Sequence, residues 1–270
     1  MKRMFKISLL GLLALGLTTS CEDENKNKNE NNENLLDIEV VYVEGGEFEM
    51  GATDEQGEDA EYNEKPVRTI KLNSYSIGKY EITQAQWKAV MGTTVKDLQK
   101  NAAWDDGIVG EGNNYPIYYV SWDDAQEFCK RLSEKTGKNY VLPTEAQWEY
   151  AARGGNKSNH TKYAGSNDPE EVAWHVNNCD LTTHPVGDKK PNELGIYDMS
   201  GNVWEWCSDW FSRYNADDTD NPQGPASGAG RVARGGSWYH PAVNSRVAAR
   251  NGGAADTRFS MMGLRVVLLP

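Results

Sequence analysis

The amino-acid sequence predicts a mixed α+β fold with little regular secondary structure. Only three segments carry both start and stop signals of a helix, and short alternating strands separated by turn residues fill most of the remainder. Between Asn192 and Trp210, three tryptophans fall within seven residues, Trp204, Trp206 and Trp210. Because indoles bury large areas and act as rigid anchors, this density predicts a loop-rich domain held together by aromatic side chains.

Composition and charge narrow the classes of function. The chain of 270 residues is 38% hydrophobic, which is enough for a core, and its formal net charge is −12. The first 20 residues contain three basic residues and no acidic one, so 25 basic residues face 40 acidic residues in the rest, a balance of −15. Such a surface repels nucleic acid and anionic headgroups, so we expect neither as a partner. Plain solubility is the other explanation of the charge.

Residues 1–20 have the features of a signal peptide. Three basic residues precede an apolar run from Ile7 to Leu17, which is too short to span a bilayer. Cys21 follows directly, an arrangement that resembles a bacterial lipoprotein signal, in which the cysteine is lipidated and becomes the mature N-terminus. Ordinary secretion with a chance cysteine is the alternative.

Residues 21–36 predict a disordered tether. Within 22–36, 13 residues are Asn, Glu, Asp or Lys, and such a segment cannot bury enough surface to offset chain entropy. The acidic residues directly after Cys21 resemble the surface-export signals of some Gram-negative lipoproteins. We therefore expect an outer-membrane lipoprotein that faces the periplasm or the cell surface, meets the membrane only through its lipid anchor, and carries one folded domain over residues 37–270.

Predicted strands open and close the folded part, which begins near Ile38. Val40 and Phe48 alternate with polar neighbours around Gly45-Gly46, which predicts a hairpin. Residues 52–65 are acidic and predict a loop, and residues 67–77 alternate as one strand. Towards the C-terminus the strand candidates are residues 246–250 and 264–269.

Three helices are predicted, from Thr83 to Met91, from Ser121 to Gly137 and from Thr144 to Gly154. Each begins at a Ser or Thr that can cap the helix and ends at or just before a glycine. In the second helix, apolar residues recur at i, i+3, i+4 and i+7 and predict one buried stripe: Ala125, Phe128, Cys129 and Leu132.

Seven motifs, in order along the chain, resemble the sulfatase-modifying factor family, which includes the formylglycine-generating enzymes. They are Gly45 to Gly51 (GGEFEMG), Tyr80 to Thr83 (YEIT), Pro116 to Trp122 (PIYYVSW), Leu142 to Gly154 (LPTEAQWEYAARG), Leu194 to Trp206 (LGIYDMSGNVWEW), Arg234 to Trp238 (RGGSW) and Gly263 to Val266 (GLRV). Together they cover roughly residues 40–268. The resemblance implies a single-domain variant of the C-type lectin fold, the formylglycine-generating-enzyme fold, which often binds calcium.

A structural calcium site is predicted from Asp198, Gly201, Val203 and Glu205. At i, i+3, i+5 and i+7, a loop wrapped around an ion would offer two carboxylates and two backbone carbonyls, which are hard ligands that suit Ca²⁺. These positions also match calcium ligands of the family residue by residue. The alternative is a local turn at Asp198 with Glu205 in solvent.

The cysteines argue against copper chemistry. The resemblance implies a cysteine pair after R-G-G-S that binds copper as thiolates and oxidises a substrate cysteine with oxygen. Here His240 stands about where the first cysteine would be, and no cysteine follows, although Ser237 matches an active-site serine of the family. We expect Cys129 to be a small buried apolar residue. A disulfide between Cys179 and Cys207 stays open.

The segment after R-G-G-S also predicts the binding groove. The resemblance implies that the functional groove of this fold lies here, and aromatic, Arg and Asn side chains suit sugar rings, peptides or anionic groups. The candidates are Ser237, Trp238, Tyr239, His240, Asn244, Arg246, Arg250, Asn251 and Arg258. Structural roles for Trp238 and Arg246 are the alternative, with the arginines paired to carboxylates.

Two functions from different classes follow. The first is a non-catalytic binding or assembly module, a lipid-anchored envelope protein that holds an envelope protein, peptide or glycan. The second is an oxidoreductase of the family, formylglycine-generating or otherwise a metal-dependent oxidase of protein or thiol substrates, with altered metal ligands around His240. The missing cysteine pair favours the first.

Overall fold

A long, bent antiparallel ribbon begins the part of the chain that the computed structural model describes, residues 35–270. Strand β1 (Val40–Val43) pairs with β4 (Tyr75–Gly78), and β2 (Gly46–Met50) pairs with β3 (Arg68–Leu72), in one continuous register. The ribbon bends at Gly45, where a Cβ would lie 2.5 Å from the carbonyl oxygen of Leu72. The hairpin predicted around Gly45-Gly46 is therefore wrong, because the chain reverses in the loop between β2 and β3. The single strand predicted over residues 67–77 is split by the same bend.

The predicted signal peptide, the predicted lipidation of Cys21 and the predicted tether up to residue 34 lie outside the described residues. Leu36, the last residue assigned to the tether, packs against the core instead. From residue 35 onward, no helix is both long and apolar enough to cross a membrane.

Two four-stranded sheets carry most of the remaining strands. In the first, β10 (Val267–Leu269) lies between β4 and β5 (Asn139–Val141), which gives the order β1-β4-β10-β5. The second contains β6 (Trp204–Trp210), β7 (Arg231–Arg234), β8 (Arg250–Gly253) and β9 (Met262–Gly263), in the order β8-β7-β6-β9. Strand β8 is therefore an edge strand.

The strand predicted over residues 246–250 is wrong. A 3₁₀ turn occupies Ala242–Ser245, and β8 begins only at Arg250. The reason is that Arg246 turns inward to a buried carboxylate, Glu64, instead of continuing an alternating pattern. The strand predicted over residues 264–269 is shorter than expected and begins at Val267.

Helices are few and short, and their starts agree with the sequence. They are α1 (Gln84–Met91), α2 (Val95–Gln99), α3 (Trp122–Thr136), α4 (Glu145–Ala152) and α5 (Pro169–Val172). The three predicted helices correspond to α1, α3 and α4, and each has a complete capping box at its predicted cap residue. The sequence did not predict α2 or α5.

The core is aromatic, as the tryptophan density predicts. The stripe on α3 is buried, and Phe128 stacks on Trp87 of α1 with ring centroids 5.4 Å apart. Strand β6 buries Trp204 and Trp206, and the Trp206 indole N–H donates to the carbonyl of Val120 at 2.9 Å. Truncating one such indole to alanine costs about 3–5 kcal/mol.

A row of buried ion pairs joins α4 to the second sheet. Glu149 bonds Arg153 at 2.8 Å and also bonds Arg234 of β7. Glu145 lies 3.3 Å from Arg234 and 2.5 Å from Arg250 of β8. Charges alternate along this row, so removing one member would leave a buried neighbour unpaired, at a cost of about 3–5 kcal/mol.

Candidate functional site

The R-G-G-S turn begins where β7 ends. Gly235 and Gly236 both have positive φ, 100° and 78°, which favours glycine. A Cβ on Gly236 would also lie 2.4 Å from the hydroxyl of Ser245, so no larger residue fits without a shift. This turn buries Ser237 and brings its Oγ within 2.8 Å of His240 Nδ1.

The surroundings of His240 fix its protonation. The indole N–H of Trp204 donates to His240 Nδ1 at 3.3 Å, and an indole nitrogen can only donate. Nδ1 therefore carries the lone pair, and Nε2 carries the proton. Burial also lowers the pKa of His240, so the ring is neutral at pH 7. His240 is thus arranged as a hydrogen-bond donor through Nε2.

The thiols of the described chain lie apart, each buried and unpaired: Cys129, Cys179 and Cys207. Cys179 contacts the R-G-G-S-W segment, where its Sγ donates to the carbonyl of Trp238 at 3.1 Å. Burial raises the pKa of all three thiols, for Cys129 to about 12. No two of them form a thiolate pair, and Cys179 does not pair with Cys207. Cys129 is part of the core, as predicted from its helical spacing.

A groove of 520 Å³ opens along β8, and neither Ser237 nor His240 is among the residues that line it. Its lining includes Trp204, Asn244, Arg250, Asn251 and Gly252, together with Phe211. Trp204 links the two features, because its ring lines the groove and its N–H bonds His240. The sequence had assigned Trp204 to the scaffold alone; no local pattern showed that it also reaches the site.

Arg250 braces one wall of the groove. Its Nε and Nη2 bond the carboxylate of Glu145 at 2.5 and 2.7 Å, and its Nη1 donates to the carbonyls of Asn63 and Ser212 at 2.7 and 3.0 Å. The guanidinium also packs on the ring of Tyr214. One buried charge therefore ties the acidic loop and the end of β6 to β8.

The other predicted groove residues are placed differently. Trp238 is buried in the core, and Tyr239 is exposed. Arg246 is buried and bonds both carboxylate oxygens of Glu64, at 2.6 and 2.9 Å, so it does not line the groove. Arg258 pairs with Asp124 of α3 at 2.8 Å. Arg246 and Arg258 therefore have the structural pairing that the sequence left as the alternative.

The predicted calcium ligands surround a buried ion pair. Glu205 accepts from Arg265 at 2.7 and 2.9 Å and from the Trp148 indole at 2.6 Å, so it does not lie in solvent. Asp198, with φ of 57°, is also buried, and its Oδ2 accepts from the backbone N–H of Gly187 at 2.7 Å. Both carboxylates thus lie inside the domain.

A third carboxylate, Glu81, belongs to this cluster and was missed. It accepts from the backbone N–H of Val203 at 3.0 Å, across 122 positions of sequence. Burial, and then repulsion by Asp198 and Glu205, raise the pKa of Glu81 well above its usual value. Burial likewise raises the pKa of Asp198 to about 6. The only local signal was a glutamate between apolar residues just before a helix cap.

The excess of negative charge in this cluster would favour a bound cation. Glu205 is poorly placed as a ligand, because its oxygens accept hydrogen bonds from Arg265 and Trp148. One guanidinium, Arg265, faces three carboxylates, and hard oxygens favour Ca²⁺. Both oxygens of Glu205 are already bonded, which leaves Asp198 and the carbonyls of Gly201 and Val203 from the predicted set. Among residues 35–270, no group of three His, Cys, Asp or Glu side chains is arranged around a metal position. Calcium stays a prediction.

Comparisons with known proteins agree with the fold and the motifs. The bent ribbon, the small sheets and the R-G-G-S turn define a C-type-lectin-like domain of the formylglycine-generating-enzyme type. The family described as "Sulfatase-modifying factor enzyme 1-like domain" (FGE-sulfatase) matches residues 25–269, and the chain belongs to this family. The predicted single-domain α+β fold and the resemblance are thereby confirmed.

The relatives differ in what their names say. The chain is 33% identical to the chaperone protein LppX of Paenibacillus barcinonensis, over 85% of this chain and 89% of that protein. It is also 33% identical to a formylglycine-generating enzyme of Streptomyces coelicolor, over 83% of this chain and 87% of that enzyme. Among solved structures, Treponema denticola variable protein 1 is similar with a TM-score of 0.73 and 31% identity, covering 86% of this chain and 95% of that one. PvdO from Pseudomonas aeruginosa has a TM-score of 0.72 and 25% identity, with the same coverage.

Proposed function

We propose that this chain is a lipid-anchored envelope protein whose domain binds an extended polypeptide in the groove along β8, without copper-dependent formylglycine formation. The observation that carries the proposal is the position of the groove, at the free edge of a four-stranded sheet. An edge strand presents backbone N–H and C=O groups to which another chain can add as a strand.

The chemistry of the groove supports a polypeptide over other ligands. Gly252 and Gly253 lie against the rings of Phe211 and Trp206, which a Cβ at either position would approach to 2.8 and 3.0 Å, so aromatic side chains back the strand. Asn244 and Asn251 add amide groups on the wall, where Asn251 Oδ1 accepts from the backbone N–H of Gly252 at 2.8 Å, and Phe211 adds apolar surface. A few fixed polar groups among aromatic ones are typical of a binding pocket.

Two further observations support the assembly role and the anchor. One relative carries the name chaperone protein, which is compatible with the capture of a polypeptide. The charged start, the short apolar run and Cys21 support attachment through a lipid. The acidic residues after Cys21 favour an outer-membrane lipoprotein that faces the periplasm or the cell surface. An envelope protein is therefore the partner class that we favour over a glycan.

The oxidase alternative lacks support at His240. A metal would need a lone pair on one ring nitrogen, but Nδ1 already accepts from Trp204 and lies 2.8 Å from Ser237 Oγ, and Nε2 carries the proton. Copper(I) favours soft thiolates, and the described thiols are buried singly.

The groove is tested by comparing proteins that bind to immobilised wild type and to an Asn244→Ala/Asn251→Ala variant in envelope extract. We expect the variant to lose specific bands. Gly252→Val is a second block, because its Cβ would lie 2.8 Å from the Phe211 ring. Thr69→Val, on an exposed position of β3, is the matched control. Equal binding by all four proteins would reject the groove as the binding site.

The absence of copper chemistry is tested on the same material. The purified chain is incubated with copper, and metal content and oxygen uptake are measured with a cysteine-containing peptide. We expect neither stoichiometric copper nor uptake. Bound copper with turnover of the peptide would establish the oxidase reading instead.

A further inference from the structure

Three large apolar side chains are exposed on segments that hydrogen bonds join to one another near Trp238. Trp104 is 71% exposed, Leu181 is 63% exposed and Tyr239 is 51% exposed. They come from three separate segments, and the groove along β8 uses none of them. Exposed aromatic and aliphatic groups gathered in one place often mark an interaction site.

The turn that carries Leu181 contacts the other two segments directly. The backbone N–H of Thr183 donates to the carbonyl of Val109 at 2.8 Å, which joins this turn to the loop that carries Trp104. The thiol of Cys179 donates to the carbonyl of Trp238 at 3.1 Å, which joins the turn to the segment that carries Tyr239.

The remaining two segments are bridged by Ser260. Its carbonyl accepts from the indole of Trp238 at 3.2 Å, and its hydroxyl donates to Asp106 at 2.6 Å. The three segments are therefore linked pairwise around Trp238. We call their exposed side chains, Trp104, Leu181 and Tyr239, the apolar face.

The backbone under Leu181 is held in a costly conformation. Asp180 and Leu181 have φ of 52° and 58°, two consecutive non-glycine residues in the left-handed region. Tight turns of this kind normally use Asn-Gly, since glycine adopts positive φ without strain. Strain of this kind costs about 1–3 kcal/mol per residue and is usually kept where it serves function. Here it displays a leucine to solvent, so the side chain itself is the feature to explain.

Carboxylates border the apolar face. Asp105 and Asp106 follow Trp104 directly, and Asp180 precedes Leu181; all three are exposed, and none forms an ion pair with any residue from 35 to 270. A membrane with anionic headgroups would be repelled by them. A protein segment with apolar side chains next to Lys or Arg is complementary in both respects.

We propose that the apolar face is a second docking surface, separate from the groove, for a protein segment that presents apolar side chains beside basic ones. Tyr and Trp at such sites dominate binding, and truncation of one costs about tenfold or more in affinity. The acidic border sets the charge of the partner and makes the affinity fall with rising salt.

The test uses three synthetic peptides and the full chain, with affinity measured by titration calorimetry. The first peptide alternates Trp or Leu with Lys or Arg, the second has Glu at each basic position, and the third has Ser at each apolar position. We expect only the first to bind. Tyr239→Ser and Trp104→Ser should each weaken it about tenfold. Tyr42→Ser, which removes a tyrosine that is 66% exposed on β1, is the matched control and should leave it unchanged.

Leu181→Gly separates binding from folding. Glycine relieves the positive φ, so this variant should unfold at a higher temperature than wild type and still bind the first peptide about tenfold more weakly. Equal binding of the first peptide by wild type and Leu181→Gly would overturn the proposal. So would equal binding of the Glu peptide, or binding of anionic vesicles that Tyr239→Ser abolishes. The two proposals are told apart by variants that lose peptide binding at the apolar face but still capture envelope proteins in the groove, or that do the reverse.

Discussion

Replacing Asp209 by asparagine should stabilise the domain at neutral and alkaline pH. Asp209 is 5% exposed and lies at the end of β6, where its Oδ2 accepts from the backbone N–H of Glu145 at 2.8 Å and from the Ser208 hydroxyl at 3.1 Å. Burial, and then the carboxylate of Glu145, raise the pKa of Asp209 to about 7, although Arg250 opposes the shift. An amide can accept the same two hydrogen bonds without carrying a charge.

The sign and size of the effect follow from linkage. The pKa of Asp209 in the folded state lies above the ordinary aspartate value of 3.8, so the folded state holds the proton more tightly than the unfolded state. The contribution of Asp209 to stability is therefore greatest below pH 4 and falls as the pH rises towards 7. The difference between 3.8 and 7 corresponds to about 4 kcal/mol at pH 8, which is an upper estimate, and Asp209→Asn removes it.

Thermal unfolding followed by circular dichroism at a series of pH values tests this reasoning. For a domain of this size, about 4 kcal/mol corresponds to a rise in Tm of about 10 °C at pH 8, with little difference near pH 4. Asp217→Asn, at an exposed carboxylate on the following loop, is the control. A gain of equal size at both pH values, or a loss at pH 8, would show that ionisation of Asp209 in the folded state is not the cause.

Three further predictions concern calcium, the R-G-G-S turn and the anchor. Removing calcium with a chelator should lower the Tm, because an ion at one hundred times its Kd contributes about 2.7 kcal/mol to the free energy of unfolding. Asp198→Ala should abolish this response to the chelator. An unchanged Tm in the wild type counts against the calcium site. Gly236→Ala should lower the free energy of unfolding in urea by about 1–3 kcal/mol, because Gly236 has a positive φ and its Cβ would lie 2.4 Å from Ser245. Gly57→Ala is the control for positive φ alone, because a Cβ on Gly57 would meet no atom within 4 Å. In cells, labelled palmitate should be incorporated into the wild-type protein and not into Cys21→Ala. Label in both proteins would reject lipidation at Cys21.

The sequence predicted those parts of the fold that depend on neighbours a few residues apart. Thr83, Ser121 and Thr144 begin helices because each bonds a backbone N–H three residues later, so the signal lies within one turn. The bend in the ribbon was missed for the same reason. Gly45 is adjacent to Leu72 only after the strands have paired, and no short window of sequence contains that contact.

The site was less predictable because its partners are distant in sequence. Arg246 was expected in the groove, but it bonds Glu64 across 182 positions. Glu81 was missed although it bonds the backbone of Val203 across 122. An ion pair between two loops leaves no periodicity, so a charge alone does not reveal whether it faces solvent or a buried partner. Burial, which decides between the two, is set by the whole fold.

The R-G-G-S motif illustrates why the family is clearer than the function. Its arginine, Arg234, is buried and bonds Glu149, and it lies 3.3 Å from Glu145, so the first residue of the motif belongs to the scaffold that joins α4 to β7. Its two glycines are required by backbone conformation and close packing. After the glycines, Ser237 bonds His240 at the candidate site, whereas Trp238 is buried in the core. The fold therefore needs this arginine and these glycines whether or not a thiol pair follows them, and a match to the motif defines the fold without defining the chemistry.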